Sequence, residues 1–250
     1  MTIDEFAENI KQKASKRLLD VSGTGKLSKQ TWNFPNGQVE IMVIRGGAIE
    51  KASIMHMKLQ DSSRSGMTDE VDHVVYQMEV FPNHPYCPMG HFNTEWATKE
   101  PHLYRMNLEL FPAVRVEEDL RAMKAAMDVV ADRFGKDREK MREMLDTQYT
   151  MEHFAIPLAT KVGCKFRGLK DEDLDFFITA YEMFFNVYLD IIEKRKGMTC
   201  TESDLQLKLE RNGKWLQYLM LKDGAARASR DQGIPPEVLI EFGYPPTAIF

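Results

Sequence analysis

Residues 79–96, EVFPNHPYCPMGHFNTEW, bring together the side chains most able to do chemistry in this chain. His91, Asn93 and Glu95 alternate with Phe92, Thr94 and Trp96 behind a turn punctuated by Pro82, Pro85 and Pro88. Alternate residues of an extended strand share a face, so a proton carrier, an amide and a carboxylate stand in one row. An imidazole can give and take a proton near neutral pH. Such groups cost free energy when buried without partners. The row therefore reads either as the wall of a pocket or as one solvated face of a strand.

The same alternation runs through the neighbouring segments. One parity collects His56 and Lys58 from KASIMHMKL, then His73, Gln77 and Glu79 from VDHVVYQMEV, then Arg105, Asn107 and Glu109 from LYRMNLEL. The other parity is apolar: Met55, Met57 and Leu59; Val74, Tyr76, Met78 and Val80; Tyr104, Met106, Leu108 and Leu110. One face thus builds a core, and the other carries histidines, carboxylates and amides. Helices laid over the second face would make it a polar pocket, which is the expectation. His84 and His102 sit in turns and read as solvated, and His153 beside Phe154 as a satisfied histidine. The remaining histidines lie on different strands without a fixed register, so no metal site is expected.

Five strands must hold that face: QVEIMVI, KASIMHMKL, VDHVVYQMEV, GHFNTEW and LYRMNLEL, between about residues 38 and 110. Their short connections favour an antiparallel sheet. Phe6, Ile10, Ala14 and Leu18 give residues 1–20 one apolar helical stripe, and 19–37 read as a connecting loop. Helices are predicted over 116–134 and about 136–151, and KVGCKFRG reads as a further strand. The run DEDLDFFITAYEMFFNVYLDIIEKRK has an acidic start and a basic end that suit a helix dipole. Residues 202–222 mix helix and strand signals, and a short helix is predicted near 236–241. The expected fold class is α+β, one antiparallel sheet covered by helices, in a single domain over 1–250.

Bulk properties narrow the function. A net charge of −5 argues against nucleic acid as partner. No apolar run approaches the roughly 18–20 residues of a membrane span, and the N-terminal segment has no signal-peptide core. Three cysteines, Cys87, Cys164 and Cys200, without a CxxC pair fit a reducing cytoplasm. A dinucleotide fingerprint and a phosphate loop are both missing, so a bound nucleotide is not expected. The sixteen methionines read as core filler.

The ordered blocks resemble aerobic coproporphyrinogen III oxidase from about 32 to 246. Trp32 and GGAIEKASI at 46–54 look like that family's glycine turn before a Glu-Lys-Ala strand. FPNHPYCPMGHFN is similar to its HPxNPxxPxxHxN block, with Phe81 in place of the first histidine. LELFP stands where the family has Ala-Asp-Leu-Thr-Pro, EEDLRAMKAAMDVVADRFG follows its next helix, and YLDIIEKRKGMTCTESD with ERNGKWLQYLMLKDG mirrors its late segments. The resemblance implies a flat antiparallel sheet between two helical layers, an α/β/α sandwich, with a tetrapyrrole over one sheet face and no tightly bound organic cofactor. It also implies a homodimer, with molecular oxygen as oxidant. His91 would be the proton donor, Asn93 a substrate-contacting amide, and Glu109 the acid held toward the pyrrole nitrogens, which would stabilise charge on an oxidised ring. Gln77, Glu95, His73, Arg105, Lys58 and Trp215 complete the expected substrate-binding set.

The departures are specific. Glu95 replaces an arginine, Gln77 a serine, Thr160–Cys164 an Arg-Gly-Val-Gly-Gly segment, and Tyr104–Asn107 a glycine run. Arginine is the natural partner of a propionate, and Lys58, Arg105, Lys161 or Arg167 would have to compensate. The same superfamily holds the ferredoxin-dependent bilin reductases, whose Asp in a Gly-x-Asp block is Asn93 here and whose His aligns near Gln77. Three readings result: oxidative decarboxylation of porphyrinogen propionates, reduction of a linear tetrapyrrole with ferredoxin electrons, and a haem or porphyrin carrier without catalysis. A ferredoxin partner would require a basic rim, with Lys161, Lys165 and Arg167 as candidates.

Overall fold

The computed structural model describes residues 1–62, 71–231 and 233–250. The polar segment DSSRSGMTDE falls mostly outside these. Seven antiparallel strands form one meander sheet in sequence order, β1 (Lys26–Phe34), β2 (Gly37–Gly46), β3 (Ile49–Ser62), β4 (Val71–Pro82), β5 (Met89–Ala97), β6 (Tyr104–Phe111) and β7 (Cys164–Leu169). Helices lie on both faces, so the fold is the expected α+β sandwich.

One face carries the main core. Helix α1 (Ile3–Ser22) starts at a capping box in which Thr2 and Glu5 satisfy each other's backbone N–H groups. Its stripe of Phe6, Ile10, Ala14 and Leu18 is fully buried. Beside it lie α2 (Glu117–Arg133) and the strongly apolar α4 (Leu174–Arg195). Phe176, Phe177, Tyr181, Phe184, Phe185 and Tyr188 of α4 reach the sheet, where Tyr76, Phe92, Tyr104 and Leu108 meet them. One buried ion pair, in which Arg195 donates two hydrogen bonds of 2.8 Å to Asp119, ties the last turn of α4 to the first turn of α2. Both charges complement their helix dipoles.

The other face is covered unevenly, and that unevenness makes the site. At one end Val39, Ile41, Val43, Met55, Met57, Leu59 and Val75 pack beneath α7 (Pro236–Phe242). Lys51 anchors this end: its Nζ donates to the carbonyls of Ile240 at 2.9 Å and Tyr244 at 2.6 Å, and burial pushes the ammonium down to about 7. At the other end Phe81, Met89 and Phe111 pack against α3 (Arg138–Tyr149) and α5 (Glu202–Leu221) through Leu145, Tyr149, Trp215 and Tyr218. Between these apolar ends, β4–β7 present polar side chains to a cleft.

Three elements differ from the sequence reading. Residues 26–34 are a strand, not a loop. β1 is an edge strand exposed along most of its length, so no buried face imprints alternation on it. Residues 202–221 are one helix, whose apolar positions serve a site wall as well as a core. Helix α6 (Gly224–Asp231) was not anticipated; Asp223 starts it by accepting from the Ala226 N–H at 2.7 Å.

Candidate active site

The β4–β5 hairpin places the polar row. Residues 82–88 form the turn, and the register pairs Glu79 with His91, Gln77 with Asn93 and Val75 with Glu95. β6 continues the rows with Glu109, Asn107 and Arg105, and β7 adds Lys165 opposite Asn107. Phe92, Thr94 and Trp96 are buried on the opposite face, so the alternation of β5 is real.

These side chains are joined by hydrogen bonds. Arg105 donates to Glu95 at 3.4 Å, Asn93 donates to Glu95 at 3.2 Å and to Gln77 at 3.1 Å, and Gln77 donates to Glu79 at 3.0 Å. Glu79 Oε1 then lies 2.7 Å from His91 Nδ1. A carboxylate at that distance fixes Nδ1 as the protonated nitrogen and leaves Nε2 as the basic one. Among the described residues Nε2 has no hydrogen-bond partner, and His91 lines the cleft. Trp215, Tyr149 and Phe111 surround the imidazole, with ring centroids 5.7, 6.1 and 6.3 Å away. Burial raises the Glu79 carboxyl above its ordinary range, opposed by His91 and Gln77.

The cleft has a volume of about 660 Å³, within the range of about 300–1,000 Å³ usual for small-molecule sites. Gln77, His91, Asn93, Glu95, Arg105 and Asn107 form its floor, and Trp215 and Tyr218 one wall. Trp215 is fixed by donation to the Gly243 carbonyl at 3.0 Å. Cations gather at the β6–β7 end: Arg105, Lys165 and Arg167 from the sheet, Lys140 and Lys222 from the helical side. Lys165 is buried, and its ammonium has no hydrogen-bond partner among the described residues. Burial, with repulsion from Arg167 and Arg105, pushes it down to about 8.

Six of the nine expected site residues thus line the cleft: His91, Gln77, Asn93, Glu95, Arg105 and Trp215. The other three do not. Glu109 is fully buried and turned away. It accepts from the N–H groups of Leu110 at 2.7 Å and Lys161 at 2.8 Å, from Val162, and from the Thr160 hydroxyl at 2.8 Å. His73 is buried in the sheet outside the cleft. Lys58 is exposed on the other face: the register pairs it with Val74, and His56 with Tyr76, whereas Met55 pairs with Gln77. The parity assigned to β3 is therefore inverted. Both of its faces carry apolar residues, so alternation could not tell them apart. The supposed basic rim is also not one surface. Lys161 pairs with Asp146 at 2.8 Å, Lys165 is inside the cleft, and only Arg167 is exposed.

Glu109 has a structural task in its place. The segment 160–162 wraps its carboxylate, and Lys161 holds a left-handed φ of 61° where the resembling segment has glycine. Gly163 follows, where an added Cβ would collide with the Leu108 carbonyl. Burial pushes Glu109 up to about 7, against the pull of four donors. A carboxyl raised in the folded state adds stability that is complete below its unfolded value and fades as pH rises. The expected result is a denaturation midpoint that falls between about pH 4.5 and 7.5, worth on the order of 3 kcal/mol at about 1.4 kcal/mol per pH unit. In Glu109→Gln that part of the slope disappears. An unchanged slope would assign the pH dependence elsewhere.

Sequence reasoning gave Glu79, Tyr149 and Tyr218 no role, and Lys165 only a place on a basic rim. Glu79 had a signal: 79 and 91 are equidistant from the centre of the 82–88 turn, as hairpin partners must be. The tyrosines come from helices whose packing angle the sequence does not encode.

The fold sets a polar cleft of about 660 Å³ against one face of an antiparallel sheet, beside the buried His91–Glu79 pair. The family model for coproporphyrinogen III oxidase matches residues 2–232, and the chain belongs to that family. Membership brings a tetrapyrrole substrate and an oxidoreductase role in tetrapyrrole metabolism. No helix among the described residues is long and apolar enough to cross a membrane.

Proposed function

We propose that this chain oxidatively decarboxylates propionate side chains of a porphyrinogen, with molecular oxygen as oxidant. Each turnover would convert R–CH₂–CH₂–COO⁻, O₂ and H⁺ to R–CH=CH₂, CO₂ and H₂O₂, a two-electron oxidation that balances without a further cofactor. The observation that carries this reading is the cleft's polarity. A partnerless buried Lys165 stands with Arg105 and Arg167 at one end, and the His91–Glu79 pair sits in an aromatic box at the other. Carboxylates of the macrocycle meet the cations, which replaces the lost arginine–propionate contact from another strand. The reacting pyrrole then lies beside His91, where Nε2 takes or returns a proton. Asn93 and Gln77 orient the edge of the ring, and Glu95 holds Arg105 in place.

Coproporphyrinogen supplied aerobically to the purified protein should yield one hydrogen peroxide and one carbon dioxide for each vinyl group formed. Visible-absorbance titrations with coproporphyrin III, haem and biliverdin test the ligand class. Biliverdin preference would transfer the site to linear tetrapyrrole reduction, and tight haem binding without turnover would make it a carrier. Lys165→Met should raise KM for the porphyrinogen tenfold to about a hundredfold, the loss expected for one charge-assisted hydrogen bond of about 1.5–3 kcal/mol. An unaltered KM would remove Lys165 from propionate recognition.

A further inference from the structure

Beside the cleft, on the β3–β4 side, lies a second and much smaller cavity of about 50 Å³. Met55, Met57, Val75, Ile234, Val238 and Phe242 make one side of it apolar, and Gln77, Glu79, Glu95 and Asp223 border the other. It adjoins the main cleft through shared residues: Gln77, Glu95, Leu219, Asp223 and Ala225 border both. The side chain of Glu79 borders this chamber and not the main cleft. Its Oε1 is engaged by His91 and Gln77, whereas Oε2 is buried and has no hydrogen-bond partner among the described residues. An apolar pouch with one unanswered carboxyl oxygen behind a catalytic histidine is an unusual thing to bury.

We propose that this chamber is the dioxygen site, and that Glu79 Oε2 meets the oxygen as it is reduced. The volume of about 50 Å³ leaves room for a diatomic molecule, since a single water needs only about 10–15 Å³ counted the same way, and apolar walls such as those of Met57, Val75 and Val238 admit xenon. A vinyl or methyl edge of the substrate would fit the walls but leave Oε2 unanswered, because neither donates a hydrogen bond. Hydrogen peroxide, the reduced product, does donate. When two electrons and a hydrogen leave the propionate side chain for O₂, one further proton completes H₂O₂. A proton on Oε2 is positioned to supply it, since Oε1 already accepts two bonds, and burial favours the protonated carboxyl. Glu79 then regains its proton from solvent through the cleft. The assignment rests on the functional reading above only in taking oxygen as oxidant.

Two measurements test it. The unmodified protein, crystallised and held under xenon pressure, should show xenon between Met57, Val75 and Val238. Ala226→Leu, which grows a side chain into the chamber from α6 and leaves the main cleft's own lining unchanged, should raise KM for dioxygen about tenfold while KM for the porphyrinogen stays within about twofold. An empty chamber under xenon overturns the gas site. So does an Ala226→Leu variant whose porphyrinogen KM rises while its oxygen KM does not, which would give the chamber to the substrate's apolar edge. Turnover with an oxygen KM unmoved by filling sinks the chamber and leaves the decarboxylase standing. Xenon bound in a protein that turns over no porphyrinogen leaves a gas cavity, but overturns the dioxygen role together with the oxidase reading.

Discussion

His91→Ala should lower kcat by about 10²–10³-fold, the usual worth of a positioned proton carrier, and leave tetrapyrrole affinity within about threefold. The argument is geometric. Nδ1 is committed to Glu79 at 2.7 Å, so the remaining nitrogen is the one that faces the ligand. The cations that would fix the macrocycle, Lys165, Arg105 and Arg167, lie at the far end of the cleft and do not touch the imidazole. Binding and chemistry are thus separated in space, and one substitution can remove the second while sparing the first. Glu79→Gln provides the control. It keeps a hydrogen-bonding group beside Nδ1 but cannot hold the same tautomer, so kcat should fall. In the double variant the loss transmitted through the Glu79–His91 bond counts once, and any loss beyond His91→Ala reports the separate task of Glu79 at dioxygen. Fully additive losses would show that Glu79 does nothing through His91. Full turnover in His91→Ala would end the mechanism.

The site was legible where one face of a strand was buried and the other was not. β5 is such a strand: Phe92, Thr94 and Trp96 disappear into the core while His91, Asn93 and Glu95 meet the cleft, as the period of two requires. β3 failed the same test because Met55 and Met57 are buried beneath α7 while Ala52 and Ile54 are buried beneath α1 and α4. With apolar residues on both sides, period two carries no sign. Glu109 failed for a different reason. It has the right parity and the right register, opposite His91, yet three donors from the nearby 160–162 segment, with the Leu110 N–H, capture it. Parity fixes the face on which a side chain emerges, and only tertiary neighbours decide what it then bonds. The cationic end shows the same limit: Arg105, Lys165 and Arg167 belong to two strands more than fifty residues apart, and no local pattern joins them.

Phe92→Ala, one residue away from His91, should act on stability and not on chemistry. Phe92 is fully buried, and its ring meets Tyr181, Phe184, Phe185 and Tyr188 of α4 with centroids 5.1–5.8 Å apart. Truncation removes the contact that fastens β5 to its supporting helix and leaves a cavity walled by four aromatic rings, which are too rigid to collapse into it. A loss of about 3–5 kcal/mol is expected for such a site, or roughly 10 °C in Tm for a chain of this size. Gly90, next along the strand, adds to the rigidity: a Cβ there would meet the Tyr188 ring at 2.7 Å, so β5 lies directly on α4 with no slack. Denaturant midpoints measure the effect, and Phe92→Leu, which keeps much of the volume, should recover more than half of it. Below the unfolding temperature the Phe92→Ala protein that remains folded should keep its KM, because the cleft lies across the sheet from the cavity. A loss under about 1 kcal/mol would mean that α4 moves in to fill the gap. That movement would draw β5 with it, and the distance between His91 and Glu79 would then change in step with the core behind them.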